Sequence, residues 1–291
     1  MDGRVEERRG VEAETGVEDA ASAAIERIDG ACEHAWTPDG EHRIRWRLIG
    51  EGRPLVLLHG GYGSWMHWLK AMEALAGHRR VACPDMPGFA QSGGRKPPYD
   101  PPRIAVAVAE GLGHLFGTAT PLGVAGFSFG GTVAGHLARA LAGRARSLAL
   151  IGSGGLGSAR PEIVMRSRAR GMSAREILEV HRHNLAALMF KDPARIDALA
   201  LEIQRRNTET RPTIVTRRYS RTPVLAEILR EVPCPVHAIW GDGDATVGPF
   251  IESRLSVLRQ GAPDARATIV PDCGHWAMYE QPEAVVTALM S

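Results

Sequence analysis

The chain has 291 residues, of which 44% are hydrophobic and 23% are charged, and its formal net charge is +2. This length suits one large α/β domain with an insertion, or two small domains, and a charge so close to zero gives no reason to expect a nucleic-acid partner. No apolar run reaches membrane-spanning length and the N-terminus lacks the apolar region of a secretory signal, so we expect a cytoplasmic protein without a membrane partner.

Residues 1–35 form an acidic N-terminal extension with ten acidic residues against four arginines. A short helix is expected around residues 18–28, and the composition of the remainder favours a partly helical or disordered segment. The extension packs on the basic segment described below, mediates a subunit contact in a homo-oligomer, or is simply disordered. The sequence does not choose among these three.

An α/β pattern begins near residue 42. Residues 42–50 alternate like a half-exposed edge strand, and short apolar runs followed by glycine-containing loops predict further strands within 53–61, 79–93, 121–128 and 146–155. Segments with helical spacing lie between these runs, at 64–77, 102–116 and 131–145. Alternating strands and helices imply a parallel sheet with right-handed crossovers.

The pattern changes between residues 157 and 230, where helical segments follow one another without a clear strand. The α/β alternation then resumes and continues to the end of the chain. We therefore expect a helical cap at 155–231, inserted into an α/β core formed by 36–154 and 232–291. A cap in this place would cover the C-terminal edge of the sheet, where open α/β folds bind ligands.

The segment GVAGFSFGGTVAG, residues 123–135, contains a G-x-S-x-G motif centred on Ser128. A strand is predicted before the motif and a helix after it, which is the setting of a nucleophile elbow. The helix that follows would point its N-terminus at the serine and favour negative charge there. A glycine-rich turn with a solvated serine would show the same motif, so the decision depends on the partners of Ser128.

A serine hydroxyl becomes a useful nucleophile only when a base takes its proton and a carboxylate orients that base. After the next strand ends, IWGDGDATV supplies Asp242 and Asp244, and VPDCGHW supplies His275 after the last strand. The chain order Ser, Asp, His fits the nucleophile-elbow fold. A loop histidine and a turn carboxylate would each be ordinary alone, but all three at strand ends favour catalysis by Ser128, Asp244 and His275.

Catalysis of this kind also needs an oxyanion hole made of two backbone N–H groups. One is expected from Phe129, the residue after the nucleophile. The other is expected from the loop after LVLLHGG, where Gly61 is the first choice and Tyr62 the second. Glycine there lets the backbone approach a substrate closely, although it also suits a simple tight turn.

The chain resembles the α/β-hydrolase superfamily over roughly residues 42–291. The motifs that carry the resemblance are LVLLHGGYGSW (55–65), PDMPGFAQSG (84–93), GFSFGG (126–131), WGDGDATV (240–247) and CGHW (273–276). The resemblance implies a mostly parallel twisted sheet flanked by helices, with the cap inserted between two strands. In the family pattern G-x-x-D, counted from Gly241, the acid is Asp244, and Asp242 then shapes the turn.

The type of nucleophile narrows the expected reaction. Haloalkane dehalogenases and epoxide hydrolases of the superfamily carry aspartate at the elbow, and dienelactone hydrolases carry cysteine. Serine implies acyl transfer from esters, thioesters, amides or activated ketones. The motifs HGGYGSWMHW (59–68) and CGHW resemble those of the carbon–carbon bond hydrolases of aromatic catabolism, which cleave anionic meta-cleavage products. The cap at 155–231 carries a net charge of +6, which suits a negatively charged substrate.

Three other functions stay open. The carbon–carbon hydrolases usually carry Asn or His where this chain has Phe127, Met in place of Phe129, and a proline in the oxyanion loop. A carboxylesterase with an apolar, aromatic-walled acyl pocket is the main alternative, and the residues that would line the pocket, each equally compatible with an ordinary core position, are Phe127, Phe129, Trp65, Trp276 and Met278. The residues expected to bind substrate are Tyr62, Phe127 and Trp276. A cofactor-free haloperoxidase or perhydrolase, and a ligand-binding member of the fold without turnover, are the others.

No metal or cofactor is expected. The sequence contains no phosphate-binding loop, no dinucleotide fingerprint and no His/Cys cluster. The four cysteines lie far apart without a C-x-x-C pair, so they indicate neither a zinc site nor a disulfide framework. The expected partner is a small-molecule substrate.

Overall fold

The computed structural model describes residues 19–92, 100–209 and 212–291. Residues 1–18, which were expected to be partly helical or disordered, lie outside the described residues. Residues 19–30 form helix α1, where a short helix was expected.

The core of the fold is an eight-stranded sheet. Its strands are β1 (Glu33–Asp39), β2 (His42–Ile49), β3 (Pro54–Leu58), β4 (Arg80–Pro84), β5 (Leu122–Phe127), β6 (Ala145–Ile151), β7 (Val236–Gly241) and β8 (Arg266–Val270). They lie in the order β1, β2, β4, β3, β5, β6, β7, β8. Strand β2 is antiparallel to both of its neighbours, and the other pairs are parallel, which confirms the predicted mostly parallel sheet.

Ten helices follow α1 in the described chain. They are α2 (Leu69–Ala76), α3 (Pro101–Phe116), α4 (Phe129–Ala140), α5 (Ala174–Leu188), α6 (Ala198–Glu209), α7 (Arg217–Ser220), α8 (Val224–Leu229), α9 (Ile251–Gly261), α10 (Ala277–Glu280) and α11 (Pro282–Met290). Between β6 and β7 the described residues contain α5 to α8 and no strand. We call residues 152–235 the helical insertion.

Both faces of the sheet are covered by apolar side chains. Successive strand residues point to opposite faces, so Val56 and Val124 join one buried cluster, while Leu57 and Ala125 join the other. Helices α3, α4, α8 and α9 pack on the first face. The second cluster combines α2, α10 and α11 with residues of α1, α5 and α6, so the insertion and the N-terminal helix share a core with the sheet.

The prediction that residues 42–50 form an edge strand is wrong. Strand β1 pairs with residues 42–48 of β2 and is joined to it by a turn at Gly40, whose φ is +60°. The segment EHAWTPD, which forms β1, was not predicted as a strand because charged residues and a proline interrupt the residue pattern typical of strands. The alternation in β2 has another origin, since Arg43 and Arg45 contact Trp36 on the outer surface, and Arg47 is buried in an ion pair.

The helical prediction also extended too far toward the N-terminus of α5. Residues 159–170 have no regular secondary structure, and α5 begins only after Ser173. Ser173 and Glu176 form a reciprocal capping box, which stabilises the start of the helix at this point. Just before it, Gly171 has a φ of +88°, which a helix cannot accommodate.

Candidate active site

Ser128 sits on a sharp turn between β5 and α4. Its φ of 52° and ψ of −114° are strained for a residue with a side chain. A Cβ atom at Gly126 would collide with the carbonyl oxygen of Gly130, and one at Gly130 would collide with the carbonyl oxygen of His59. Both glycines of the motif are therefore required by close backbone packing, and they let the serine project beyond the end of β5.

His275 lies between Ser128 and Asp244. Its Nε2 atom is 3.1 Å from Ser128 Oγ, and its Nδ1 atom is 2.9 Å from Asp244 Oδ2. A carboxylate only accepts hydrogen bonds, so Nδ1–H donates to Asp244 and Nε2 is left to accept from the serine hydroxyl. Both His275 and Asp244 are buried. The chain thus brings together three residues that the sequence placed after β5, β7 and β8.

Asp244 is held as an anion by its surroundings. Burial acts to raise the pKa of Asp244, but the charge and hydrogen bond of His275, with a hydrogen bond from the Thr246 backbone N–H at 2.8 Å, hold that pKa below its ordinary value. Asp242 is placed differently. It points toward solvent and pairs with Lys191 Nζ at 2.9 Å. The structure thus brings Asp244 to His275 and holds Asp242 in a separate ion pair.

The loop after β3 contains Gly61 and Tyr62. A Cβ atom at Gly61 would collide with the Thr216 hydroxyl, so the insertion closes directly over this loop. Tyr62 has a φ of 53°, and its side chain is half exposed. The loop thus lies between the sheet and the helical insertion, which places Gly61 close to residues that the sequence positions more than a hundred residues away.

His67 packs against this loop, and no role was expected for it. The Gly60 backbone N–H donates to His67 Nδ1 at 3.2 Å. Burial, followed by the nearby His59 and His275, lowers the pKa of His67 well below its ordinary value, so the ring is neutral and free to accept. A Cβ atom at Gly63 would collide with the His67 ring. The motif HGGYGSWMHW (59–68) contains His67, but the residue pattern alone does not indicate its contact with Gly60.

The aromatic residues expected to bind substrate occupy different places. Phe127 is buried, and its ring centroid lies 4.9 Å from that of His275. The Trp276 indole N–H donates to the His67 carbonyl at 2.8 Å, and its ring packs against Tyr279. The ring of Phe129 lies 6.0 Å from that of Tyr219 in α7. Phe127 therefore contacts the histidine directly, while Trp276 packs behind it.

Arg160, in the insertion, lies within the electrostatic field of Asp244. It is partly buried and donates from Nη1 to Ser220 Oγ at 3.0 Å. Burial and the neighbouring Arg221 lower the pKa of Arg160, an effect that Asp244 partly offsets. Its Nε atom is buried and has no hydrogen-bond partner among the described residues. Arg160 thus brings a cationic group with spare hydrogen-bonding capacity toward the site.

The described ranges contain no group of three or more His, Cys, Asp or Glu side chains arranged to hold a metal ion. All four cysteines are free. Among the helices of the described chain, none is both long and apolar enough to cross a bilayer.

Residues 55–288 match the model of the alpha/beta hydrolase family. The chain belongs to this family. The matched range contains β5, the strained turn at Ser128 and the loops that carry Asp244 and His275. This α/β hydrolase is therefore an enzyme, and Ser128, Asp244 and His275 lie at the C-terminal edge of the sheet, where open α/β folds bind ligands.

Two curated proteins and one solved structure illustrate its similarities. The hydrolase is 30% identical to the dihydrolipoyllysine-residue acetyltransferase component of the acetoin cleaving system of Pseudomonas putida, over 84% of its own length but only 65% of that protein. It is 26% identical to the 2-hydroxy-6-oxo-6-(2'-aminophenyl)hexa-2,4-dienoic acid hydrolase of Metapseudomonas resinovorans, over 94% of its length and 92% of the relative. The esterase RhEst1 from Rhodococcus sp. ECU1013 superposes with a TM-score of 0.71 at 25% identity, covering 89% of this chain and 97% of that one.

Proposed function

We propose that this protein is a serine hydrolase that cleaves small carbonyl compounds with Ser128 as nucleophile, His275 as base and Asp244 as the acid that orients the base. One observation carries the proposal: the continuous hydrogen-bonded chain from Ser128 Oγ through His275 to Asp244, at 3.1 and 2.9 Å. The contact between Ser128 and His275 is within the range in which a base can take a proton directly, and the contact between His275 and Asp244 is a hydrogen bond that orients the base.

The reaction follows from this geometry. Ser128 Oγ attacks the carbonyl carbon while its proton moves to His275 Nε2. Asp244 keeps the imidazole in the required tautomer and stabilises its charged form. His275 then gives the proton to the leaving group, and a water molecule, deprotonated by the same histidine, releases the acyl group from Ser128.

The negative charge that develops on the carbonyl oxygen needs donors already in place. We assign the oxyanion hole to the backbone N–H groups of Phe129 and Gly61. Phe129 begins α4, so the partial positive charge of that helix end adds to its N–H. Thr216 above Gly61 and His67 below Gly60 hold the other donor loop in one position.

The preferred substrate in this proposal carries a negative charge close to its carbonyl group. The helical insertion acts as a cap, and Arg160 is the side chain proposed to bind the anion. Burial lowers the pKa of Arg160, and the positive charges of Arg221 and Arg217 lower it further, so the three arginines lie close enough to form one positive region. The similarity to a dienoic acid hydrolase agrees with such a substrate, and carbon–carbon bond hydrolysis of a meta-cleavage-type diketone is the first candidate.

A carboxylesterase is the second candidate. Phe127 presents an aromatic ring to His275, and Phe129 packs with Tyr219, so the surroundings of the serine are apolar on two sides. Such walls suit the acyl chain of an uncharged ester. The superposition with the esterase RhEst1 agrees with this alternative.

Initial rates on two substrates separate the candidates. One is a short p-nitrophenyl ester, and the other is a 2-hydroxy-6-oxohexa-2,4-dienoate followed by the loss of its visible absorbance. Wild type and Ser128→Ala are compared in parallel, and the variant should lose several orders of magnitude in rate. A higher kcat/KM for the dienoate supports carbon–carbon hydrolysis, preference for the ester supports the esterase, and inertness toward both contradicts the proposal in favour of a ligand-binding role.

A further inference from the structure

Arg254 is a buried arginine on α9 that the proposed reaction does not use. Only 2% of its surface is exposed. No carboxylate of the described residues lies within 4.0 Å of its guanidinium group, and its Nε atom is buried without a hydrogen-bond partner there. Burying a charged group without a direct ion pair costs free energy, so other contacts must offset the lost hydration of the guanidinium group.

Two backbone carbonyl groups compensate part of this cost. Arg254 Nη1 donates to the Ser153 carbonyl at 3.1 Å, and Nη2 donates to the Thr246 carbonyl at 2.6 Å. Ser153 lies just beyond the end of β6, whereas Thr246 belongs to the loop after β7. The guanidinium fork therefore joins two loops that come from neighbouring strands of the sheet.

Both of these loops hold the Asp244–His275 pair. The Thr246 backbone N–H donates to Asp244 Oδ1 at 2.8 Å, so the residue that accepts from Arg254 also binds the carboxylate. On the other side, a Cβ atom at Gly152 would lie 2.9 Å from His275 Nδ1, so the end of β6 packs directly against the imidazole. A displacement of either loop would change the distance between Asp244 and His275.

The charge of Arg254 also acts on Asp244. Burial lowers the pKa of Arg254, and the negative charge of Asp244 raises it. The interaction is mutual, so the charge of the guanidinium favours the ionised form of Asp244, in addition to the larger effects of His275 and Thr246. Because both groups are buried, this interaction is screened little by solvent or salt.

We propose that Arg254 is a positioning residue, which ties the loop after β7 to the end of β6 and places a buried guanidinium group beside the loop that carries Asp244. It touches neither the nucleophile nor the substrate in this arrangement, and it acts through Asp244 and His275. The inference rests on the proposed serine-hydrolase function. It adds a fourth side chain, from α9, to a site whose other members come from the strand ends.

Other charged or titratable groups face the same region from the elements packed around it. These are His275, Cys273, His67, Arg160, Arg217 and Arg221. Among the arginines of this set Arg160 is only partly buried, so solvent weakens its field at Asp244 more than it weakens that of Arg254. Removal of the Arg254 charge should therefore be visible above this background.

The test measures how fast a fluorophosphonate labels Ser128 as a function of pH, since this needs no knowledge of the natural substrate. The Oγ–P bond forms as the P–F bond breaks, fluoride leaves, and the serine proton passes to His275. Four variants are compared with wild type: Arg254→Met and Arg254→Gln, which remove the charge, Arg254→Lys, which keeps it, and Arg259→Met. Arg259 lies on the same helix and is exposed, so it is the matched control.

As the pH is lowered, the charge-removing variants should lose labelling about half a pH unit above the pH at which wild type loses it. This shift is smaller than the roughly 1–3 units that a direct ion pair produces. Arg254→Lys should keep the wild-type pH limit but label about tenfold to a hundredfold more slowly, because a single ammonium replaces the two-pronged contact. Arg259→Met should match wild type in both respects.

Several outcomes would overturn the proposal. The first is that Arg254→Met and Arg254→Gln fold and keep the wild-type pH limit of labelling. The second is that Arg254→Lys shifts this limit as much as the charge-removing variants do. The third is that all three Arg254 variants fail to fold, which would assign Arg254 to folding alone. If only Arg254→Met fails to fold, Arg254→Gln carries the comparison. Wild type that is not labelled, or Ser128→Ala that is labelled equally, would instead contradict the proposed function on which the inference rests.

Discussion

The side chain of Thr216 fills the space beside Gly61, so that a Cβ atom at position 61 would collide with the threonine hydroxyl. The contact joins the helical insertion to the loop assigned to the oxyanion hole. Because the two residues lie far apart in the chain, their contact makes the geometry of this loop depend on how the insertion packs.

Gly61→Ala should lower kcat/KM by roughly tenfold or more, because the added methyl group must push either the loop or Thr216 away. The double variant Gly61→Ala with Thr216→Ala should recover part of that loss, since the hydroxyl is then gone. Steady-state kinetics on the better of the two substrates measures both. Gly143→Ala is the control, because nothing lies within 4 Å of a Cβ atom at that position. An absence of recovery in the double variant would show that the methyl group acts in some other way.

Replacement of the two neighbouring aspartates should have very different effects. Asp244→Asn should reduce kcat by about 10⁴-fold, because the amide can favour the wrong imidazole tautomer. Asp242→Asn loses only a partly exposed ion pair with Lys191, which is worth about 0–1 kcal/mol. Turnover and thermal unfolding of both variants should be measured together. The assignment of the acid would be wrong if Asp242→Asn were the more damaging change.

Arg160→Met should raise KM for the anionic dienoate by about tenfold to a hundredfold, since a hydrogen bond to a charged group contributes about 1.5–3 kcal/mol. KM for an uncharged ester should stay close to its wild-type value. Arg175→Met serves as the matched control, because Arg175 is an exposed arginine of the same insertion. Equal effects of Arg160→Met on the charged and the neutral substrate would argue against anion binding by this residue.

The stability of the fold should fall as the pH drops below the ordinary histidine pKa of 6.5. His59 and His67 are buried and have lowered pKa values, mainly through burial, so below pH 6.5 the unfolded chain takes up protons that the folded chain excludes. Acid therefore favours unfolding. The loss of stability ends only at the lower pH at which these histidines also become protonated in the folded protein.

His67→Gln should show a weaker fall in Tm between neutral and mildly acidic pH than wild type does. It should also turn over substrate more slowly at neutral pH, because Gly60 loses the acceptor that holds its loop. The exposed His114 provides the control, and His114→Gln should keep the wild-type pH dependence of Tm. An unchanged pH dependence in His67→Gln would mean that other buried histidines dominate it.

Local signals in the sequence were enough to locate the elbow at Ser128 and to place Asp244 and His275 at strand ends. The glycines of the elbow are required by backbone geometry, because a Cβ atom at position 126 or 130 would collide with a backbone carbonyl oxygen. The sheet was equally readable from its short apolar runs. Strand β1 was missed because its charges and its proline conceal a strand that pairing with β2 stabilises.

The residues that support the site could not be found in the same way. Arg254 and Thr216 carry no motif, and their roles come from contacts with Ser153 and Gly61, which belong to other segments of the chain. His67 lies in a recognised motif, but its role comes from a contact with Gly60 that the residue pattern does not record. Burial determines what these residues can do, because it keeps His67 neutral and leaves the charge of Arg254 largely unscreened by solvent. Packing between distant segments sets burial, and a linear pattern of residue types does not record that packing.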